Sequence, residues 1–213
     1  LPEAQRLLRK ARELAPPAAP DPEAVRALLA EGRTAQAAEM AEALAAASPD
    51  SPAAWVLLAE AQAPARPDRA LQALREGLAR GVAEAEVGDL LLRLLLEGGQ
   101  TAEAEAVCGR LVEAALAQGE PDEAVERCGA VLRAAPSLLG VHRRRLELCE
   151  VLGREAEAAE AARALAEASE AAGDIPGAIE AYGAVLRHAP GDAAAAGRLA
   201  LLAPEPAPAP AEA

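Results

Sequence analysis

The sequence predicts an all-α protein, a solenoid of about twelve helices joined as antiparallel hairpins. Three observations predict it. Residues 84–137 laid on residues 138–191 share about 21 identities at a constant offset of 54, with Gly119 falling on Gly173 and Pro136 on Pro190, so one architectural unit is used twice. The 213 residues are 52% hydrophobic but only 1% aromatic, with one Trp, one Tyr and no Phe. Such a chain must build its core from small and branched aliphatic side chains, and its abundant Ala, Leu, Glu and Arg are strong helix formers. Gly and Pro recur at helix-length intervals, and between them apolar residues return every three or four positions. No run shows strand alternation.

The elements follow in order. A helix at 2–14 stops before Pro16-Pro17. Asp21-Pro22 supplies a capping oxygen and a first-turn proline to 22–31, which Gly32 closes. A helix at 34–48 runs to Pro49, and one at 52–63 runs to Pro64. Pro67-Asp68 opens 67–80, closed by Gly81; 84–97 carries Leu92, Leu95 and Leu96 and ends at Gly98-Gly99. The helix at 100–118 ends at Gly119, and Glu120-Pro121 opens 121–135, whose stripe is Val125, Cys128, Val131 and Leu132 before Pro136. Helices at 138–152, 155–172 and 175–189 end at Gly153, Gly173 and Pro190, and Gly191-Asp192 opens 192–203. From Pro204 the chain alternates proline with alanine; proline has no amide proton and clashes with the preceding turn, so 204–213 is expected to be an extended or disordered segment outside the 1–203 repeat domain.

Charge and composition exclude several functions. A formal net charge of −13 repels phosphate backbones and leaves no basic stripe, so nucleic acid is not expected as a partner. The most apolar run, Leu90 to Leu96, is interrupted by Arg93 and is far shorter than the roughly 20 residues that span a bilayer. No membrane insertion is expected. The chain opens Leu1-Pro2-Glu3 without an initiator Met, which leaves a removed signal or an upstream domain open. Cys108, Cys128 and Cys149 are odd in number, lack metal spacing and fall where helices bury small apolar groups, so reduced core thiols in a cytosol are the expectation.

Within the helix pairs the spacing is specific. From Leu165 the chain reads LAEASEAAGDIPGAIEAYGAVLRHAP, with Gly173 at the turn, then Ala178, Tyr182, Leu186 and Pro190. A second run places Gly119, Ala124, Cys128, Leu132 and Pro136 at the same offsets, and Trp55, Leu58 and Ala59 open a third. This pattern resembles the tetratricopeptide repeat, a helix-turn-helix unit of about 34 residues with small, aromatic and proline positions at fixed offsets. Gly32, Ala37, Ala41 and Pro49 fit the same register, and Ala4, Leu8, Ala11 and Pro16 resemble a second helix without its first. One departure stands out. Between Pro136 and Pro190 there is room for three helices rather than four, so 155–172 must serve both as the second helix of one unit and as the first of the next, and 100–118 does the same.

The resemblance implies a non-enzymatic scaffold whose stacked helices present a groove to a peptide or partner protein segment. In the family register the first-helix groove positions are Asp89, Arg93, Arg110, Glu113, Arg143, Glu147, Arg163 and Glu167. An arginine series along a groove could grip an acidic segment by bidentate pairing. Arg143 with Glu147 and Arg163 with Glu167 are each four apart, however, and could pair with each other on a solvated helix, the more common arrangement. The Lys and Asn with which family members clamp a terminal carboxylate are missing from these positions. His142-Arg143-Arg144-Arg145 points in different directions around a helix and forms no single patch. His188, near a helix end, is expected to meet the helix dipole rather than a metal. No catalytic dyad, metal set, cofactor motif or phosphate loop is visible, and no enzyme or cofactor is expected. Two further roles stay open: a spacer or self-association module of a larger protein, and an accessory of secretion or pilus assembly at the envelope.

Overall fold

Helices form wherever the Gly and Pro marks leave a run of strong helix formers between them. The computed structural model describes residues 21–203 and places eleven helices among them. They are α1 Pro22–Ala30, α2 Thr34–Ala47, α3 Pro52–Gln62, α4 Pro67–Ala79, α5 Glu84–Glu97, α6 Thr101–Ala117, α7 Pro121–Ala134, α8 Leu139–Val151, α9 Glu155–Ala171, α10 Ile175–His188 and α11 Ala193–Leu202. The helix expected at 2–14 and the Pro/Ala segment 204–213 lie outside the described residues. The other helix ends fall within one residue of those expected, because prolines and glycines set them.

Two kinds of turn join the helices. In the first, a glycine takes the left-handed backbone that a side chain disfavours: φ is 79° at Gly119 between α6 and α7 and 75° at Gly173 between α9 and α10. At the first of these, the Gly119 amide donates to Leu116 O at 3.0 Å and the Glu120 amide to Ala115 O at 2.9 Å, which satisfies two carbonyls that the helix end would orphan. In the second kind, a proline stops the helix, and at two such turns its carbonyl accepts a ring N–H six residues on. Trp55 Nε1 donates to Pro49 O at 2.7 Å, and His142 Nε2 donates to Pro136 O at 2.9 Å. From α5 onward the turns run Gly99, Gly119, Pro136, then Gly153, Gly173, Pro190. Two glycine turns followed by one proline turn make the duplicated unit three helices long.

The chain divides between Leu94 and Leu95 into two compact units. In the first, α1 packs on α2, α2 on α3 and α3 on α4, while α1 also touches α3. Val25, Ala37, Ala41, Trp55, Ala59, Ala70 and Leu74 are buried there. Trp55 fits because Gly77 has no side chain: a Cβ at that position would stand 2.8 Å from Trp55 Cγ. Arg80 lies over the indole of Trp55, 5.3 Å from a ring centroid.

In the second unit, α6 to α11 each pack on the next, and α6 also reaches α8. The helix expected to be shared at 155–172 is one unbroken element, α9, lying against both α8 and α10. Alanine makes this possible. Ala158, Ala162 and Ala166 on α9 and Ala178 on α10 are fully buried, and their single methyl groups let the helices come close.

Candidate functional site

Residues three or four apart on a helix share a face, and when alternate helices of an antiparallel array lie side by side, two such faces become the walls of a groove. On α8 the stripe is Arg143, Leu146, Glu147 and Glu150; on α10 it is Gly177, Glu180, Ala181, Ala184 and Arg187; Leu165 of α9 lies between them. The cavity they line is about 190 Å³. Typical small-molecule pockets run about 300–1,000 Å³, so this cavity is too small for a whole small ligand. Its floor is apolar and its walls alternate in charge.

A second hollow, about 450 Å³, lies between the Pro136 turn and the end of α9, lined by Pro136, Ser137, His142, Ala164, Glu167, Ala168, Ala171 and Ala172. Its lining is mostly methyl groups and methylenes. His142 is buried and its Nε2 is already committed to Pro136 O. Glu167 is left as the charged group of that lining.

The eight groove positions of the sequence distribute as follows. Asp89 and Arg93 are exposed on α5 in the first unit. The other six are in the second: Arg110 and Glu113 exposed on α6, Arg143 and Glu147 exposed on α8, Arg163 half-buried and Glu167 exposed on α9. Arg143 and Glu147 line the groove together, while Glu167 lines the second hollow.

The partners of the arginines are not those four residues away. Arg143 bonds Asp174 at 3.1 Å, and Arg163 bonds Asp192 at 2.6 Å. Both acids are helix N-caps: Asp174 accepts from the Gly177 amide at 3.1 Å and Asp192 from the Ala195 amide at 2.9 Å. The Ala195 amide and the Arg163 guanidinium together hold the Asp192 carboxyl below the usual carboxylate range. Glu147 pairs with Arg144 at 3.6 Å, and Arg144 also reaches Glu113 on α6 at 3.4 Å. Arg154 binds Asp122, and Arg198 binds Glu170, which also accepts from the Tyr182 hydroxyl at 2.6 Å. Apart from Arg144–Glu147 and Tyr182–Glu170, these links tie helices that are not adjacent in sequence, and the basic cluster at 142–145 is divided among separate partners.

Sequence reasoning missed Glu150, Glu180 and Arg187. The signal was present: Glu150 continues the Arg143–Glu147 stripe by three residues, and Glu180 and Arg187 are seven apart on α10. Glu180 and Arg187 were missed because the eight positions were drawn from the first helices of a two-helix register, which leaves α10 out, whereas in the structure α8 and α10 line one cavity. His188 differs too. Its Nε2 lies 2.9 Å from Glu150 and its Nδ1 2.6 Å from Glu155, so carboxylates rather than carbonyl ends of the helix engage it. Glu150 first and Glu155 second hold its pKa above the ordinary histidine range.

Among the described residues no group of three or more His, Cys, Asp or Glu side chains is arranged to hold a metal ion, and no helix is long and apolar enough to cross a membrane. Residues 21–61 and residues 110–172 each match the tetratricopeptide repeat family. No curated protein matches the chain. Among solved structures, YrrB, described as a TPR protein with an unusual peptide-binding site, is 14% identical with a TM-score of 0.43, over 91% of this chain and 96% of its own. PilF of Pseudomonas aeruginosa is 18% identical with a TM-score of 0.36, over 84% of this chain and 95% of its own. A double mutant of MamA, labelled RS-1, is 16% identical with a TM-score of 0.41, over 70% of this chain and 92% of its own.

Proposed function

Because the chain is a tetratricopeptide repeat protein, a class that mediates protein–protein interaction, we propose that it is a non-enzymatic scaffold that holds an extended or helical segment of a partner protein in the groove between α8 and α10. The observation that carries this reading is the groove itself. Leu146, Leu165, Ala181 and Ala184 offer an apolar floor to one anchoring side chain, and Arg143, Glu147, Glu150, Glu180 and Arg187 offer charges of both signs at its edges. The apolar contact supplies binding energy, and the alternating charges set which segment fits and in which direction.

The test is affinity capture from lysate of the source organism, with the intact chain and with a Glu147→Arg, Glu180→Arg double variant whose helicity is unchanged by circular dichroism. Both carboxylates are solvent-exposed, so reversal does not disturb the core. A protein enriched by the native chain and lost from the variant supports the reading. A partner retained equally by both places binding elsewhere.

Self-association is the second reading, and one observation favours it. Helix α11 reads AAAAGRLALL, carries Arg198 as its one charged residue, and leaves Leu201 72% exposed. Capture of the chain by itself, unaffected by the groove substitutions, would support that role.

A further inference from the structure

We propose that Cys108 and Cys128 form a dithiol site that closes to a disulfide across the α6–α7 hairpin. The two residues stand eleven positions before and nine after Gly119, which places them opposite one another on antiparallel helices. Both are buried, at 2% and 0% exposure, and their thiols hydrogen-bond to each other. The duplication adds an independent observation. At the offset of 54 residues the counterparts of Cys108 and Cys128 are Ala162 and Tyr182, both buried in the α9–α10 hairpin. A small buried residue of α9 and a large buried one of α10 thus correspond to the two buried cysteines of α6 and α7. Cys149, on α8, falls at the counterpart of Leu95 and is not part of that contact.

The pair is chemically asymmetric. The hydrogen bond from the Cys128 thiol pulls Cys108 below the usual cysteine range and pushes Cys128 well above it. In the refolding chain, where that hydrogen bond has not yet formed, either thiol can ionise to the attacking thiolate. Closure needs a two-electron oxidant, here a low-molecular-weight disulfide such as glutathione disulfide. The thiolate that ionises first, taken as Cys108, attacks one of its sulfurs, an S–S bond breaks, and one glutathione thiolate leaves. Cys128 then gives up its proton to solvent and attacks the Cys108 sulfur of the mixed disulfide, expelling the second glutathione thiolate. One disulfide forms in the protein, one is reduced to two thiols, and the two protons end on those thiols. The bond ties α6 to α7 and fixes the hairpin that supports α8.

Because both thiols are buried, the reaction is tested during refolding, when oxidant can reach them. The full chain, reduced and denatured, is refolded in a glutathione redox buffer, denatured again, alkylated and mapped by peptide mass spectrometry. The expected result is one alkylated thiol, Cys149, a Cys108–Cys128 linked peptide, and a melting midpoint that falls when a dithiol reductant is added. A Cys149→Ser variant should behave in the same way, and a Cys108→Ala variant should lose the reductant-dependent shift. Three alkylated thiols in protein that has refolded to native helicity would overturn the proposal. So would a disulfide to Cys149, or a shift that survives Cys108→Ala.

Discussion

His188 joins three helices through one ring. Nδ1 and Nε2 both face carboxylate oxygens, an arrangement in which each nitrogen must donate, so the clasp is complete only when the imidazole is protonated. Glu150, its nearer partner in effect, also lines the groove and lies 3.7 Å from Arg187. A folded-state pKa raised above the unfolded value of about 6.5 stabilises the protein fully below that value, and the contribution is lost as pH rises through the folded one. The melting midpoint is therefore expected to decline as pH rises above about 6.5, and a His188→Gln variant should lack that decline. An identical slope in both proteins would show that the clasp does not couple to folding. None of this pairing was legible in the sequence, because Glu150 and Glu155 are 38 and 33 residues away and meet His188 only once α8, α9 and α10 are packed. The same holds for Arg143 and Arg163. Pairing within one helix can be read from a spacing of four, but a bond to the N-cap of another helix depends on the array.

Helix identity and helix ends were legible for a physical reason: Gly and Pro act locally, through backbone torsion and a missing donor, and need no tertiary context. Gly119, Gly173, Pro136 and Pro190 alone place both ends of α7 and α10 and one end each of α6, α8, α9 and α11. The three-helix period was legible too, in the alternation of glycine and proline turns, whereas the groove wall on α10 depended on which helices become neighbours. Packing between elements turns on alanine. Ala178 of α10 is fully buried where α9 and α10 meet, while Glu160 of α9 is exposed. Ala178→Leu adds three carbons to a filled contact and is expected to cost about 1–3 kcal/mol, against less than about 0.5 kcal/mol for Glu160→Leu. Urea melts of the two variants check this; coincident midpoints would mean that the α9–α10 approach is looser than the burial of Ala178 implies.

Nearest-neighbour packing spreads stability over many small interfaces, as expected of a chain whose hairpins cannot bury their apolar faces alone. A net charge of −13 sets what approaches such a molecule, and the groove of the second unit carries charges of both signs, on which the proposed binding of a partner segment rests. The repeat announced a scaffold; its partner is written in no single residue. The most direct test replaces Glu180, in the groove, with a photo-crosslinking amino acid and compares it with the same replacement at Glu126, its counterpart in the duplicated unit, after irradiation in source lysate. The account predicts a discrete crosslinked product between this chain and another protein at position 180 and none at position 126. Equal products at both positions, or crosslinks at 180 only to further copies of the chain, would contradict it.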